Sequence, residues 1–167
     1  MQCLRVGSLF SGIGALDLGV HALFDCRTEW FVEQEEFCQE VLKKRFPGTP
    51  IYDDVRTITG YNLPPVDILV GGFPCQDISV AGHGKGIKEG TRSGLFFEMW
   101  RLALELEPQF VLFENVPAIN GRGLDVVTET IVSSGWKLEW FHLAASDVGA
   151  WHKREMVGHS SSRGTSF

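Results

Sequence analysis

Apolar and polar positions alternate along this chain in short blocks whose period switches repeatedly between strand-like and helix-like spacing. Leu4 to Phe10 reads as a buried strand, broken sharply by Ser11-Gly12-Ile13-Gly14. Ala15 to Phe24 follows as a helix, with Leu16, Val20 and Leu23 on its apolar face. Thr28 to Val32 is a second strand. Glu35 to Phe46 is helical, striped by Phe37, Val41 and Leu42 and stopped by Pro47-Gly48. Short extended pieces are expected around Ile51 and Val55, then a buried strand over Val66 to Val70 ended by Gly71-Gly72. The stretch from Ala81 to Gly94 is glycine-rich and polar, a long loop for a compact domain. Ser93 then caps a helix running to about Glu107. Phe110 to Phe113 is a strand, Leu124 to Ser133 a helix, and Trp136 to Ala144 another strand. Residues 158–167 are polar and aperiodic, with the composition of a tail. Strands alternating with helices predict an α/β fold, a doubly wound, mostly parallel sheet covered on both faces.

Length and composition narrow this further. The 167 residues are 44% hydrophobic, enough for one compact domain. The net charge of −6 counts against duplex DNA, whose binders usually carry a basic surface. Cys3, Cys26, Cys38 and Cys75 show no paired spacing, and no histidine pair stands at zinc-ligand distance, so no metal is expected. Apolar runs fall short of a bilayer span and the start lacks signal-peptide character, which makes a reducing cytoplasmic setting the expectation and excludes a membrane partner.

Phe10-Ser11-Gly12-Ile13-Gly14 between a strand and a helix is an arrangement suited to a nucleotide. Glycines let a ligand approach the backbone, and a helix start offers unpaired N–H groups. The place of the third glycine of a dinucleotide motif is taken by Asp17, so a plain turn or another ligand fits as well. Glu33 closes the second strand, where such sheets hold ribose hydroxyls, and Asp54 could accept from an adenine amino group. Singly, each acid is equally a solvated strand end; together with the glycines they outline an adenosyl pocket.

Gly72-Phe73-Pro74-Cys75-Gln76 is the sharpest motif. A free cysteine is commonly a small packed hydrophobe, but a strand end between Pro and Gln is a poor place to hide a thiol. In this order, Phe10 to Gly14, Gly72 to Gln76, Phe113-Glu114-Asn115-Val116-Pro117 and His152-Lys153-Arg154-Glu155 resemble the DNA cytosine-5 methyltransferases. Weaker matches lie at Glu33, Asp54-Val55 and Gly94 to Glu98, so the likeness covers about Leu4 to Val157. It implies the S-adenosylmethionine-dependent methyltransferase (Rossmann-like) fold, with residues 1–157 as the N-terminal part of a catalytic, cofactor-binding domain. S-adenosylmethionine is the implied cofactor, set by Phe10, Ser11, Gly12, Gly14, Glu33, Gln34, Asp54 and Val55. Cys75 is the implied nucleophile toward carbon 6 of cytosine, Glu114 the group that holds the ring, and Arg154 the contact to its carbonyl. The implied partner is double-stranded DNA with its target cytosine flipped out. The loop from Gln76 to Gly94 would be the lid, with Lys85, Lys88 and Arg92 for phosphates and Ser79 toward the DNA backbone.

Three departures accompany the likeness. The family's target-recognition region is not expected within these residues, which would also account for the acidic balance. Met156 stands where a second arginine is usual, and His152 where many members have glutamine. An apolar strand should follow Glu155, yet only Met156-Val157 precede the polar residues. The sheet is therefore expected to be incomplete at its C-terminus, with an unfinished edge or gap, and the chain to be a truncated enzyme with little or no activity alone. A non-catalytic S-adenosylmethionine-binding remnant is the second expectation. A nicotinamide oxidoreductase leaves Cys75 and Glu114 unexplained, and a cysteine hydrolase lacks an evident histidine base.

Overall fold

A computed structural model of the protein describes residues 3–74, 94–121, 123–152 and 155–163. The chain divides into two compact units, Met1–Gly72 with Glu98–Val111, and Phe73–Phe97 with Leu112–Phe167. Among the described residues the order is β1 (Leu4–Leu9), α1 (Ala15–Leu23), β2 (Cys26–Val32), α2 (Glu36–Arg45), β3 (Ile51–Tyr52), β4 (Ile68–Gly71), α3 (Leu95–Leu106), β5 (Phe110–Asn115), α4 (Leu124–Ser133), β6 (Trp136–Ala144) and β7 (Glu155–Arg163). The architecture is α/β with a mostly parallel sheet, as the alternation of periods predicts. No described helix is long and apolar enough to cross a membrane.

The first unit carries strands in the order β3-β2-β1-β4, every pairing parallel. Parallel strands are covered on both faces, so they read as continuous apolar runs. Val6, Leu9, Trp30, Phe31, Leu69 and Val70 accordingly have no exposed surface. The Trp30 indole N–H donates to the Pro64 carbonyl at 3.0 Å, so even its polar atom is satisfied. The β1–β2 register slips between Val6 and Gly7. A Cβ on Gly7 would run into the Trp30 ring, so glycine is what lets the ring lie there. At the entry to β4, Asp67 accepts from the Arg5 backbone N–H, Nε and Nη2 at 2.8–3.0 Å. These hydrogen bonds hold its carboxyl below the usual range.

The second unit is built on Phe73, Phe96 and Phe113, all buried, with ring centroids 5.3 to 6.4 Å apart. Its strands follow the order β5-β7-β6. β6 and β7 form an antiparallel ladder from Trp136↔Arg163 to Ala144↔Glu155.

That ladder overturns the expected gap. The chain does not become a tail after Val157; it continues as β7 through Arg163. Ladder hydrogen bonds are made by the backbone, so a polar, aperiodic sequence can complete a sheet when a long partner strand is in place. Three smaller expectations also change. Leu23 and Phe37, placed on apolar stripes, are 79% and 69% exposed. Val55 begins a 3-10 turn, Val55–Thr57, where an extended piece is predicted.

Candidate active site

The predicted cofactor residues lie in the first unit, at the carboxyl ends of β1, β2 and β3. The chain leaves β1 through two tight left-handed residues, Phe10 at φ 53° and Gly12 at φ 54°, and enters α1 through Gly14 at φ 79°. Left-handed backbone is inexpensive for glycine and costs roughly 1–3 kcal/mol for a residue such as phenylalanine. Strain of that size persists only where the surroundings enforce it. Here the Ser11 N–H donates to the Val32 carbonyl at 3.3 Å, and the Gly14 N–H returns to the Ser11 carbonyl at 2.8 Å.

Glu33 sits just past β2 and meets this turn. Its Oε2 accepts from the Gly12 N–H at 2.6 Å and its Oε1 from the Glu35 N–H at 2.7 Å. A carboxylate has about four lone-pair sites, so these two bonds leave acceptor capacity for sugar hydroxyls. A Cβ on Gly12 would meet nothing within 4 Å, so the space above the turn is open. Gln34 follows and is exposed. Asp54 caps the turn after β3, in a bidentate pair with the Arg56 guanidinium at 2.7–3.1 Å, and that contact lowers its carboxyl's pKa. Val55 is 3% exposed, and its carbonyl accepts from Arg101 at 3.1 Å. Open space beside a glycine turn, with a carboxylate holding spare lone pairs, fits an adenosyl ligand.

Two supporting side chains carried no sequence signal. Arg45, at the end of α2, donates to the Ile13 carbonyl at 2.7 Å and so grips the glycine turn from outside. Gln39 donates to the Glu33 carbonyl at 2.7 Å and to Asp53 Oδ1 at 2.8 Å, tying the ends of β2 and β3 together. Arg45 reaches across 32 residues of sequence and Gln39 across 6 and 14, separations set by how α2 packs.

The predicted chemistry at Glu114 belongs to the second unit. Glu114 is half-buried near the end of β5, and the neighbouring Asn115 is 2% exposed. The Asn115 amide faces the Phe73 carbonyl at 3.5 Å, while its Oδ1 accepts from the Val116 N–H at 2.8 Å. Asn115 thus holds the Phe73-Pro74 segment against the strand end that presents Glu114, and Cys75 is the next residue in sequence after Pro74. Cys75, Gln76, Ser79, Lys85, Lys88, Arg92, Ser93 and Arg154 lie outside the described residues.

A family profile described as C-5 cytosine-specific DNA methylase matches residues 4–162. Type II methyltransferase M.Bsp6I of Bacillus sp. (strain RFL6) is 35% identical over 150 residues, covering 87% of this chain and 48% of that protein. Type II methyltransferase M.HhaI of Haemophilus parahaemolyticus is 35% identical over 160 residues, covering 92% of this chain and 47% of the relative. Among solved structures, the S. pombe Dnmt2 methyltransferase superimposes with a TM-score of 0.80 over 99% of this chain and 51% of its own, at 15% identity, a likeness of fold. The chain therefore spans about half the length of the curated relatives it matches, at 48% and 47%.

Proposed function

Because the chain belongs to the C-5 cytosine-specific DNA methylase family, we propose that it carries the cofactor-binding and nucleophile-bearing part of a DNA (cytosine-5)-methyltransferase. The observation that carries the reading is the Asn115 contact to the Phe73 carbonyl. It ties the segment leading to Cys75 to the strand end bearing Glu114, the two groups that attack on a cytosine ring requires.

Carbon 5 of cytosine is too poor a nucleophile to take a methyl group directly. The Cys75 thiolate adds to carbon 6, and the electron pair of the 5,6 double bond becomes available at carbon 5. A free thiol ionises at about pH 8.5, so the site must lower that value to work near neutrality. Glu114 holds the ring nitrogen and exocyclic amine, and Arg154 the ring carbonyl, where charge shifts during attack. S-adenosylmethionine, when bound, supplies the methyl group. Phe10 to Gly14, Glu33, Gln34, Asp54 and Val55 would hold it, the Glu33 carboxylate offering its spare lone pairs to hydroxyl groups. Loss of the carbon 5 proton to a base then expels the thiolate and restores the ring. The target must leave the duplex to reach such a site; Gln76, Ser79, Lys85 and Arg92 are proposed to contact the DNA backbone.

Incubation with S-adenosylmethionine and duplex DNA carrying 5-fluorocytosine tests this. The fluorine blocks the final elimination, so a covalent adduct accumulates and is lost in Cys75→Ala. The half-length coverage of relatives favours a second reading, an S-adenosylmethionine-binding domain without turnover. Calorimetric binding of the cofactor with no adduct and no tritium transfer to DNA would select that reading; robust tritium transfer would exclude it.

A further inference from the structure

Asp17 is a carboxyl group that the proposed chemistry does not use. It stands in the first turn of α1 with 1% of its surface exposed, and its Oδ1 has no hydrogen-bond partner among the described residues. Its Oδ2 lies 2.9 Å from the Ser8 hydroxyl, which in turn lies 2.9 Å from the Ser11 hydroxyl. Ser11 lies within the glycine turn, with its hydroxyl also 3.2 Å from the Ser8 carbonyl and 3.4 Å from that of Val32. A buried, half-satisfied carboxyl costs stability, so its presence directly beneath a ligand-facing turn calls for a physical reason.

We propose that Asp17 is a positioning residue for the cofactor turn, acting on Ser11 and Gly12 through the Ser8 hydroxyl. This rests on the reading of Phe10 to Gly14 as the S-adenosylmethionine site. An ionised Asp17 can only accept. Ser8 must then give its proton to Oδ2 and receive the Ser11 hydroxyl's proton on its own oxygen. A protonated Asp17 can donate to Ser8 instead, which turns the Ser8 proton toward Ser11 and releases the Ser11 proton to the Ser8 or Val32 carbonyl. The direction of the relay, and with it the grip on the turn next to the Gly12–Glu33 bond, is set by one proton.

Burial raises the Asp17 carboxyl to about 6, against the lowering effects of the Ser8 hydroxyl, of its own backbone N–H and, least, of the Thr28 hydroxyl. The proton therefore exchanges near the physiological range. Around it, α1 contributes His21, whose ring bonds the Thr28 hydroxyl at 2.9 Å, and β2 contributes Cys26. β4 is Ile68-Leu69-Val70-Gly71 and contributes no titratable group, while Arg5 of β1 is engaged by Asp67.

The backbone amide resonances of Gly12 and Gly14, followed from pH 5 to 7.5 in the ligand-free chain, test the relay directly. The expected result is a shared transition near pH 6 that disappears in Asp17→Asn. In Ser8→Ala, which keeps the carboxyl and cuts the relay, the Gly12 and Gly14 transition is expected to disappear as well, so a failure of Asp17→Asn to fold does not remove the test. Calorimetry is then expected to show S-adenosylmethionine binding roughly tenfold tighter at pH 7.5 than at pH 5, about one charge-assisted hydrogen bond, with no such difference in either variant. Glycine amides that do not titrate, or that titrate alike in all three proteins, overturn the proposal whatever the cofactor does. Amides that titrate as expected in a chain without affinity for S-adenosylmethionine overturn the ligand reading, and with it the assigned purpose, while leaving the relay.

Discussion

The sheet of the first unit and the β6–β7 ladder of the second are both regular, yet they are specified by different parts of the chain. In β1, β2 and β4 the side chains carry the information: Trp30 and Phe31 have no exposed surface, and Gly7 is there because the Trp30 ring needs its space. In the ladder, β6 leaves Trp140 and Phe141 about half exposed, and β7 is largely serine, glycine and histidine. Its regularity comes from backbone pairing with a nine-residue partner. A strand can therefore be placed with few apolar side chains: Val157 is fully buried and a Cβ on Gly158 would run into the Phe141 ring, but the rest of β7 pairs chiefly through its backbone.

The largest contrast is expected from the same residue type in the two settings. Trp30→Ala removes a fully buried ring and leaves the Pro64 carbonyl without its donor. The expected loss is about 3–5 kcal/mol, read from urea denaturation. Trp140→Ala removes a ring that is 54% exposed, and less than about 1 kcal/mol should be lost. Equal losses would mean that the ladder is as side-chain-determined as the first sheet.

Acidity next separates groups within the first unit. Asp17's carboxyl is raised from 3.8 to about 6 by burial, so between those values the folded chain binds more protons than the unfolded one. Stability from this group is full below about pH 4, falls as pH rises toward 6, and is level above it, a cost on the order of 2–3 kcal/mol. Asp67 and Asp54, lowered by Arg5 and Arg56, work in the opposite sense: their contribution is present above their unfolded values and lost as pH falls through the lowered ones. Urea midpoints measured from pH 4 to 7 should fall in the native chain and flatten in Asp17→Asn. The ionised form favoured for ligand positioning is thus the one that folding disfavours.

The same buried acid shows where sequence reading ends. The alternation of periods identifies α4 and β6 residue for residue, because both carry unambiguous patterns bounded by Gly123, Gly135 and a polar turn. The turn at Phe10 to Gly14 and the strand end at Glu33 were legible in place because turn glycines and strand-end acids are local features, whereas Glu114 stood out only through the family resemblance of Phe113 to Pro117. Asp17 was legible only as the missing third glycine, since its partner Ser8 lies across the turn. Arg45 on Ile13 and Gln39 on Glu33 depend on how α2 packs, which no spacing reports. Leu23 and Phe37 misled for the reverse reason, matching a stripe whose real centre is set by neighbours.

Within the turn itself, two glycines separate folding from binding. A Cβ on Gly14, already at φ 79°, would stand 2.9 Å from Phe46 and 3.0 Å from Leu42. Gly14→Ala should therefore cost about 2 kcal/mol or more, strain and overlap together. Gly12, at φ 54°, faces open space, so Gly12→Ala should cost only about 1 kcal/mol while still obstructing the ligand's approach. Thermal melts alongside S-adenosylmethionine calorimetry distinguish the two. A Gly12→Ala variant with native affinity would remove the turn from the cofactor site.

The smallest expected effect is a gain. Ser161 pairs with Leu138 across the ladder, is 1% exposed, and its hydroxyl has no hydrogen-bond partner among the described residues. A hydroxyl taken from water without a new bond costs about 1–3 kcal/mol, and removing it restores part of that. Ser161→Ala deletes the oxygen without adding volume, so the thermal midpoint should rise by an amount matching about 1 kcal/mol. Ser161→Val would add apolar contacts if the position has room, and should rise further. The gain must come with an unchanged ladder, read as retained amide protection along β6. If neither variant gains stability, the ladder holds its serines as comfortably as the first sheet holds its leucines and valines, and the distinction between a side-chain-coded and a backbone-coded strand fails where it is sharpest.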